Sequence, residues 1–154
     1  MEGFFCRVYA LSRPRYFFVG SAVLAVVLWL LGNQEEALYF SVSLLVTFGI
    51  VGALKIILRV PRPKNPMVKT YGYAFPSGHA AASAFLVVGL YYLSKALFNT
   101  AVAHWIVVIM LAITLIVSIS RVYLHAHTTL QVLVGALIGF VVPLTILINY
   151  ANVL

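Results

Sequence analysis

Two histidines in this chain stand beside residues suited to holding an anion. Pro76-Ser77-Gly78-His79 immediately precedes an apolar stretch. Ser77 is a good helix N-cap, and Gly78 lets a ligand approach the backbone closely. The first free N–H groups of such a helix, with the positive end of its dipole behind them, form an anion site. His79 lies next to that site, where it can donate a proton. Further along, Ser120-Arg121 is followed after five residues by His127 and after three more by Gln131. Arg121 offers a planar set of donors that suits phosphate. His127 and Gln131, four positions apart at a helix start, can touch. A neutral imidazole held at one nitrogen presents the other as a nucleophile. Lys55, near the end of an apolar run, and Arg62-Pro63, after six intervening residues, add two more cations.

Each piece has an ordinary explanation by itself: a snorkelling lysine, a capped helix start, a histidine in a loop. Together they make a nest of cations, a helix N-terminus, a proton donor and an oriented imidazole. The chemistry these share is phosphoryl transfer, where positioning and neutralisation of charge dominate.

Charge supports that reading. Ten Lys+Arg face three acids, for a net charge of +7, and the acids are Glu2, Glu35 and Glu36, with no Asp anywhere. This excludes an Asp-rich metal motif and a catalytic carboxylate pair, and no cofactor is expected. A buried positive cluster then needs an external anion as its counter-charge. A single cysteine, Cys6, excludes an intrachain disulfide.

The elements that must position these residues are membrane helices. Hydrophobic residues make up 64% and charged residues 8% of the 154, where a soluble domain carries about 25% charged residues. Five apolar runs, near Tyr16–Gly32, Ala37–Leu58, Gly78–Leu97, Ala101–Ser118 and Thr129–Tyr150, approach the ~20 residues that cross a ~30 Å hydrocarbon core. They are continuous rather than alternating, which favours helices over barrel strands. The expected fold is all-α: a polytopic membrane helix bundle of about five transmembrane helices in one domain, residues 1–154. Residues 1–15 carry Arg7, Arg13 and Arg15 without the long apolar core of a signal peptide. They read as an interfacial helix with Phe4, Phe5, Val8, Tyr9 and Leu11 in lipid. The loops at 59–77 and 120–128 follow the second and fourth spans, so they share one side of the membrane and can form one site. Pro61, Pro63, Pro66 and Pro76 keep the first of them from being helical. Gly135 and Gly139 form a small-xxx-small pair for close helix packing. His104, at a span start, reads as interfacial, and His125 fits neither motif spacing.

Order and spacing of these residues resemble the type 2 phosphatidic acid phosphatase superfamily, whose signatures are K-x6-R-P, P-S-G-H and S-R-x5-H-x3-D. Here they read Lys55-x6-Arg62-Pro63, Pro76-Ser77-Gly78-His79 and Ser120-Arg121-x5-His127-x3-Gln131. The resemblance spans about residues 50–140. It implies that His127 attacks phosphorus, that His79 protonates the leaving oxygen, and that Lys55, Arg62, Ser77, Gly78 and Arg121 hold the phosphoryl oxygens, without a metal. Gln131 stands where the family usually has Asp; it can accept the same hydrogen bond without bringing charge. The string His127-Thr128-Thr129-Leu130-Gln131-Val132 is similar to the H-T-x-x-Q-V of the dolichyl-diphosphate phosphatase branch. The implied partners are a lipid phosphate or diphosphate and membrane lipids, not nucleic acid, with an oligomer left open. A phosphotransferase, or a membrane protein without catalysis, stays open beside hydrolysis. Family members commonly place the site outside the cytoplasm, against the positive-inside rule applied to the basic residues here. An extracytoplasmic site in the cell membrane is the expectation.

Overall fold

The computed structural model describes residues 2–12 and 14–151, without the side chains of Glu2, Pro14, Arg15 and Ala151. Arg13 and the Arg15 side chain, expected in water, lie outside the described residues. Six helices follow in order: α1 (Glu2–Leu11), α2 (Pro14–Leu30), α3 (Gln34–Leu58), α4 (Gly78–Leu97), α5 (Thr100–Tyr123) and α6 (Thr129–Ala151). No strand occurs among the described residues. The fold is a polytopic membrane helix bundle.

Four helices, α3 to α6, are long and apolar enough to cross a membrane. The fifth expected span is met by α1 and α2 only if that pair, bent by 42°, counts as one crossing. Exposed Leu, Ile, Val and Trp side chains such as Leu45, Trp105, Leu115 and Leu137 cover the outside of the bundle, where lipid rather than water is the solvent.

Helix α4 is the axis of the bundle. Its apolar window is 56% buried, against 11% for α5, because its small residues Ala80, Ala81, Ser83 and Ala84 admit close neighbours. Helix α6 packs closely against it. A Cβ added at Gly139 would lie 2.8 Å from Ala81 Cα, and one at Gly135 would lie 3.0 Å from Ser77 N. Both glycines therefore serve the close packing expected of them. At the far end, Leu28, Tyr39, Phe40, Phe85 and Leu93 form the apolar core, and the Tyr39 hydroxyl donates to the Pro143 carbonyl at 3.0 Å.

Two departures from expectation lie around the site. Helix α5 continues to Tyr123, so Ser120 and Arg121 lie buried on its last turn instead of in a loop. It ends in a Schellman-type turn: Ala126 N–H bonds the Arg121 carbonyl at 3.0 Å and His125 N–H bonds the Val122 carbonyl at 3.0 Å. His125 takes the left-handed position at φ 51° and stays exposed, which turns His127 back toward the bundle. Helix α1 also departs from a purely interfacial role. Phe4 and Leu11 face outward as expected, but Phe5, Val8, Tyr9 and Ser12 are half-buried. Their i, i+3, i+4, i+7 spacing is one helical stripe, turned onto α5 instead of into lipid. The Phe5 ring lies 4.6 Å from that of Tyr123.

Candidate active site

The two polar loops meet. Met67 N–H donates to the Leu124 carbonyl at 3.0 Å, and Ser77 N–H to the Gln131 carbonyl at 2.9 Å. The first contact joins the two loops, and the second fixes the start of α4 to the start of α6. Ser77 is the N-cap of α4, its hydroxyl accepting from Ala80 N–H. Lys55 reaches across from the last turn of α3, its Nζ donating to the carbonyls of Tyr73 at 3.0 Å and Pro76 at 2.7 Å. Its Cε lies 4.0 Å from where a Cβ on Gly78 would stand.

Arg62 binds the loops to each other. Nε donates to the Gly72 carbonyl at 3.1 Å, Nη2 to Tyr71 at 2.7 Å and Nη1 to Ala126 at 3.0 Å. Nη1 also stands 3.2 Å from His127 Nε2. On the other side of that ring, Nδ1 lies 2.9 Å from the Ala74 carbonyl. The tautomer follows from the partners. A carbonyl only accepts, so Nδ1 carries the proton; a guanidinium only donates, so Nε2 carries the lone pair. His127 is buried, and burial, with the charges of Arg62 and Lys55 behind it, pushes its pKa down to about 4. The imidazole is therefore neutral at neutral pH, with its lone pair aimed among cations. Burial also lowers the Arg62 pKa, opposed by nearby Tyr9, but a guanidinium stays charged regardless.

Arg121 is fully buried. Its Nη2 donates to the Ser12 hydroxyl, its Cζ lies 4.5 Å from the Tyr9 ring centroid, and Nε and Nη1 have no hydrogen-bond partner among the described residues. His79, at the start of α4, lies against the same Tyr9 ring in a tilted arrangement, with centroids 5.8 Å apart. Lys55, Arg62, Arg121 and His127 all act electrostatically on His79, so the five groups surround one locality.

A family model described as the PAP2 superfamily matches residues 36–153. The chain belongs to the PAP2 superfamily. None of the curated proteins matches it. Among solved structures, the first transmembrane PAP2-type phosphatidylglycerolphosphate phosphatase from Bacillus subtilis superposes with a TM-score of 0.87 at 22% identity, over 99% of this chain and 77% of that one. Aquifex aeolicus LpxE superposes with a TM-score of 0.73 at 23% identity, over 94% and 83% of the two chains. Both share its fold.

Two features of this PAP2 chain were not foreseen. The sequence marked the cations as lacking acidic partners but not what holds them: Lys55 and Arg62 are bonded to main-chain carbonyls. Carbonyl dipoles satisfy N–H groups without cancelling charge, so the cluster keeps its positive field while the loop is pinned. Gln131, expected to orient His127, has a different main contact. Its Oε1 accepts from Thr128 N–H at 3.0 Å, and its own N–H donates to the Thr128 hydroxyl at 3.3 Å. This is a capping box for α6. The 2.9 Å bond at the His127 ring comes from the Ala74 carbonyl, which no side-chain motif could reveal. Tyr9 and Ser12 were missed for a related reason: they lie far upstream of every motif, and only their stripe with Phe5 and Val8 marked an inward face.

Proposed function

We propose that this protein is a membrane phosphatase that hydrolyses a lipid phosphate or lipid diphosphate through a phosphohistidine at His127. The observation that carries the reading is the His127 ring, protonated at Nδ1 against Ala74 O and unprotonated at Nε2, which accepts from Arg62 Nη1 until a phosphoryl group takes that donor. Membership of the PAP2 superfamily supports the same chemistry.

The Nε2 lone pair forms the N–P bond as the bond from the terminal phosphorus to the leaving oxygen breaks, the leaving group being the lipid alcohol for a monophosphate and the lipid monophosphate for a diphosphate. The leaving oxygen takes a proton from His79, beside which the phosphate dianion offsets the charges of Lys55, Arg62 and Arg121. The Nδ1–H of the resulting cationic ring stays bonded to Ala74 O. Water then attacks phosphorus, giving its proton back to His79, and the N–P bond breaks to release inorganic phosphate. Ser77, the Gly78 amide and the three basic side chains hold the oxygens through both steps. Gln131 positions the start of α6 and, through it, His127. The chemistry is complete without a metal.

The Gln131 string favours a polyprenyl diphosphate over phosphatidate or phosphatidylglycerolphosphate. The site faces the extracytoplasmic side of the cell membrane, as the family resemblance implies. One experiment tests the reaction: the purified protein is assayed for phosphate release on a panel of these lipids, beside His127→Ala. Loss of release in the variant, with a phosphorylated histidine trapped in the parent protein, is the expected outcome. Undiminished release from His127→Ala overturns the reading. Labelling of Lys64→Cys in a Cys6→Ser background from each side of the membrane tests the orientation.

A further inference from the structure

We infer that Tyr9 of helix α1 and Ser12, in the turn that follows it, are positioning residues of the active site, holding Arg121 and His79 in place for the phosphoryl group; this rests on the reading given under Proposed function. Neither residue belongs to a motif, and both lie before residue 36, where the family match begins.

The argument starts from Arg121. A fully buried guanidinium must find partners or lose a large amount of solvation energy. The chain has only three acids, Glu2, Glu35 and Glu36, and the last two begin α3, at its opposite end from Lys55. Helix α1 supplies the substitutes. The Ser12 hydroxyl donates to the Val8 carbonyl, which leaves its lone pairs turned to Arg121 Nη2. The face of the Tyr9 ring lies 4.5 Å from Arg121 Cζ, a cation–π contact in a desolvated place. Nε and Nη1 remain without partners among the described residues, so the contacts hold the group without using up the donors an anion would take.

The same ring meets His79, with centroids 5.8 Å apart and planes 30° apart. The Tyr9 hydroxyl donates to the Lys69 carbonyl at 2.8 Å, inside the 59–77 loop that carries Arg62. One side chain thus touches the start of α4, the end of α5 and the loop between α3 and α4. Docking alone would not require this, because Phe5 already packs α1 against Tyr123.

The test measures kcat and KM for lipid phosphate, and the inhibition constant of orthovanadate, in Tyr9→Leu, Tyr9→Phe, Ser12→Ala and Phe5→Leu. Tyr9→Leu should lower kcat/KM about tenfold and weaken vanadate by a similar factor. Tyr9→Phe, which keeps the ring, should restore most of that loss. Ser12→Ala should weaken vanadate several-fold. Phe5→Leu should lower the melting temperature with kcat/KM within about twofold. In an Arg121→Lys background, the Tyr9→Leu effect should shrink, since the two act through one contact. The inference is overturned if Tyr9→Leu leaves kcat and vanadate binding within twofold of the parent. It is equally overturned if Phe5→Leu reproduces its kinetics. Should Tyr9→Leu not fold, unchanged vanadate binding in Ser12→Ala overturns it, and weakened binding supports it. His127→Ala in the same assay separates the two ideas: phosphate release that survives there sinks the phosphohistidine reading, whatever Tyr9 does.

Discussion

Arg62 Nη1 stands 3.2 Å from His127 Nε2, so the guanidinium that organises the loop also covers the nitrogen with the lone pair. The same residue bonds the carbonyls of Tyr71, Gly72 and Ala126. A flexible ammonium cannot reproduce that planar fork. Arg62→Lys keeps the charge and should still lower kcat/KM by about 10²–10³, the range for losing one preorganised donor. Steady-state phosphate release checks it, and a loss below threefold would show that charge alone suffices.

The pH dependence follows from the surroundings of His127. Burial, then Arg62, then Lys55 hold its pKa at about 4 instead of 6.5. The free protein should lose its nucleophile only as pH falls through about 4, read as the acid limb of kcat/KM after correction for protonation of the substrate. Arg62→Gln removes one of the causes and should move that limb upward, toward 6.5. Stability carries the matching sign. Below 6.5 the unfolded chain takes up a proton that native His127 resists until about 4, so this group destabilises the fold progressively as pH falls across that window and has no effect above it. Melting temperature against pH should fall less steeply there in His127→Gln.

Gln131 serves α6 first. Gln131→Leu removes the bond from Thr128 N–H to Oε1, leaving the backbone N–H of residue 131 on the Thr128 hydroxyl, and should cost about 1 kcal/mol of stability. Phosphate release should fall less than about tenfold, because Ala74 still holds Nδ1. A loss near 10⁴, the size seen when a catalytic triad loses its orienting carboxylate, would mean that Gln131 and not Ala74 controls the ring. Gln131→Glu preserves the capping box and should retain the stability.

The two glycines of α6 should separate packing from chemistry. Gly139→Ala drives a methyl group into the Ala81 backbone, and Gly135→Ala drives one into Ser77. Neither obstacle is a flexible side chain, so each substitution should destabilise by at least about 1–3 kcal/mol. Only Gly135→Ala displaces the N-cap of α4. Its activity should therefore drop more than that of Gly139→Ala at a temperature where both are folded, as melting curves and phosphate release will report.

Much of this protein was legible in its residues. Continuous apolar runs identified the helices because lipid penalises unpaired backbone, and the α4 boundaries, Gly78 to Leu97, were expected as found. The cations and imidazoles were readable because phosphate chemistry demands particular side-chain types. Tertiary structure decided what main chain and distant segments contribute. The acceptor for His127 is a backbone carbonyl, Ala74 O, which every residue possesses and no motif distinguishes. Arg121 turns inward because α5 runs one turn further than its apolar pattern indicates, and Tyr9 and Ser12 meet it across more than a hundred residues of sequence. Side-chain chemistry is written locally along the chain; which carbonyl, ring or hydroxyl a buried charge finds is set by packing, and packing is a property of the assembled bundle.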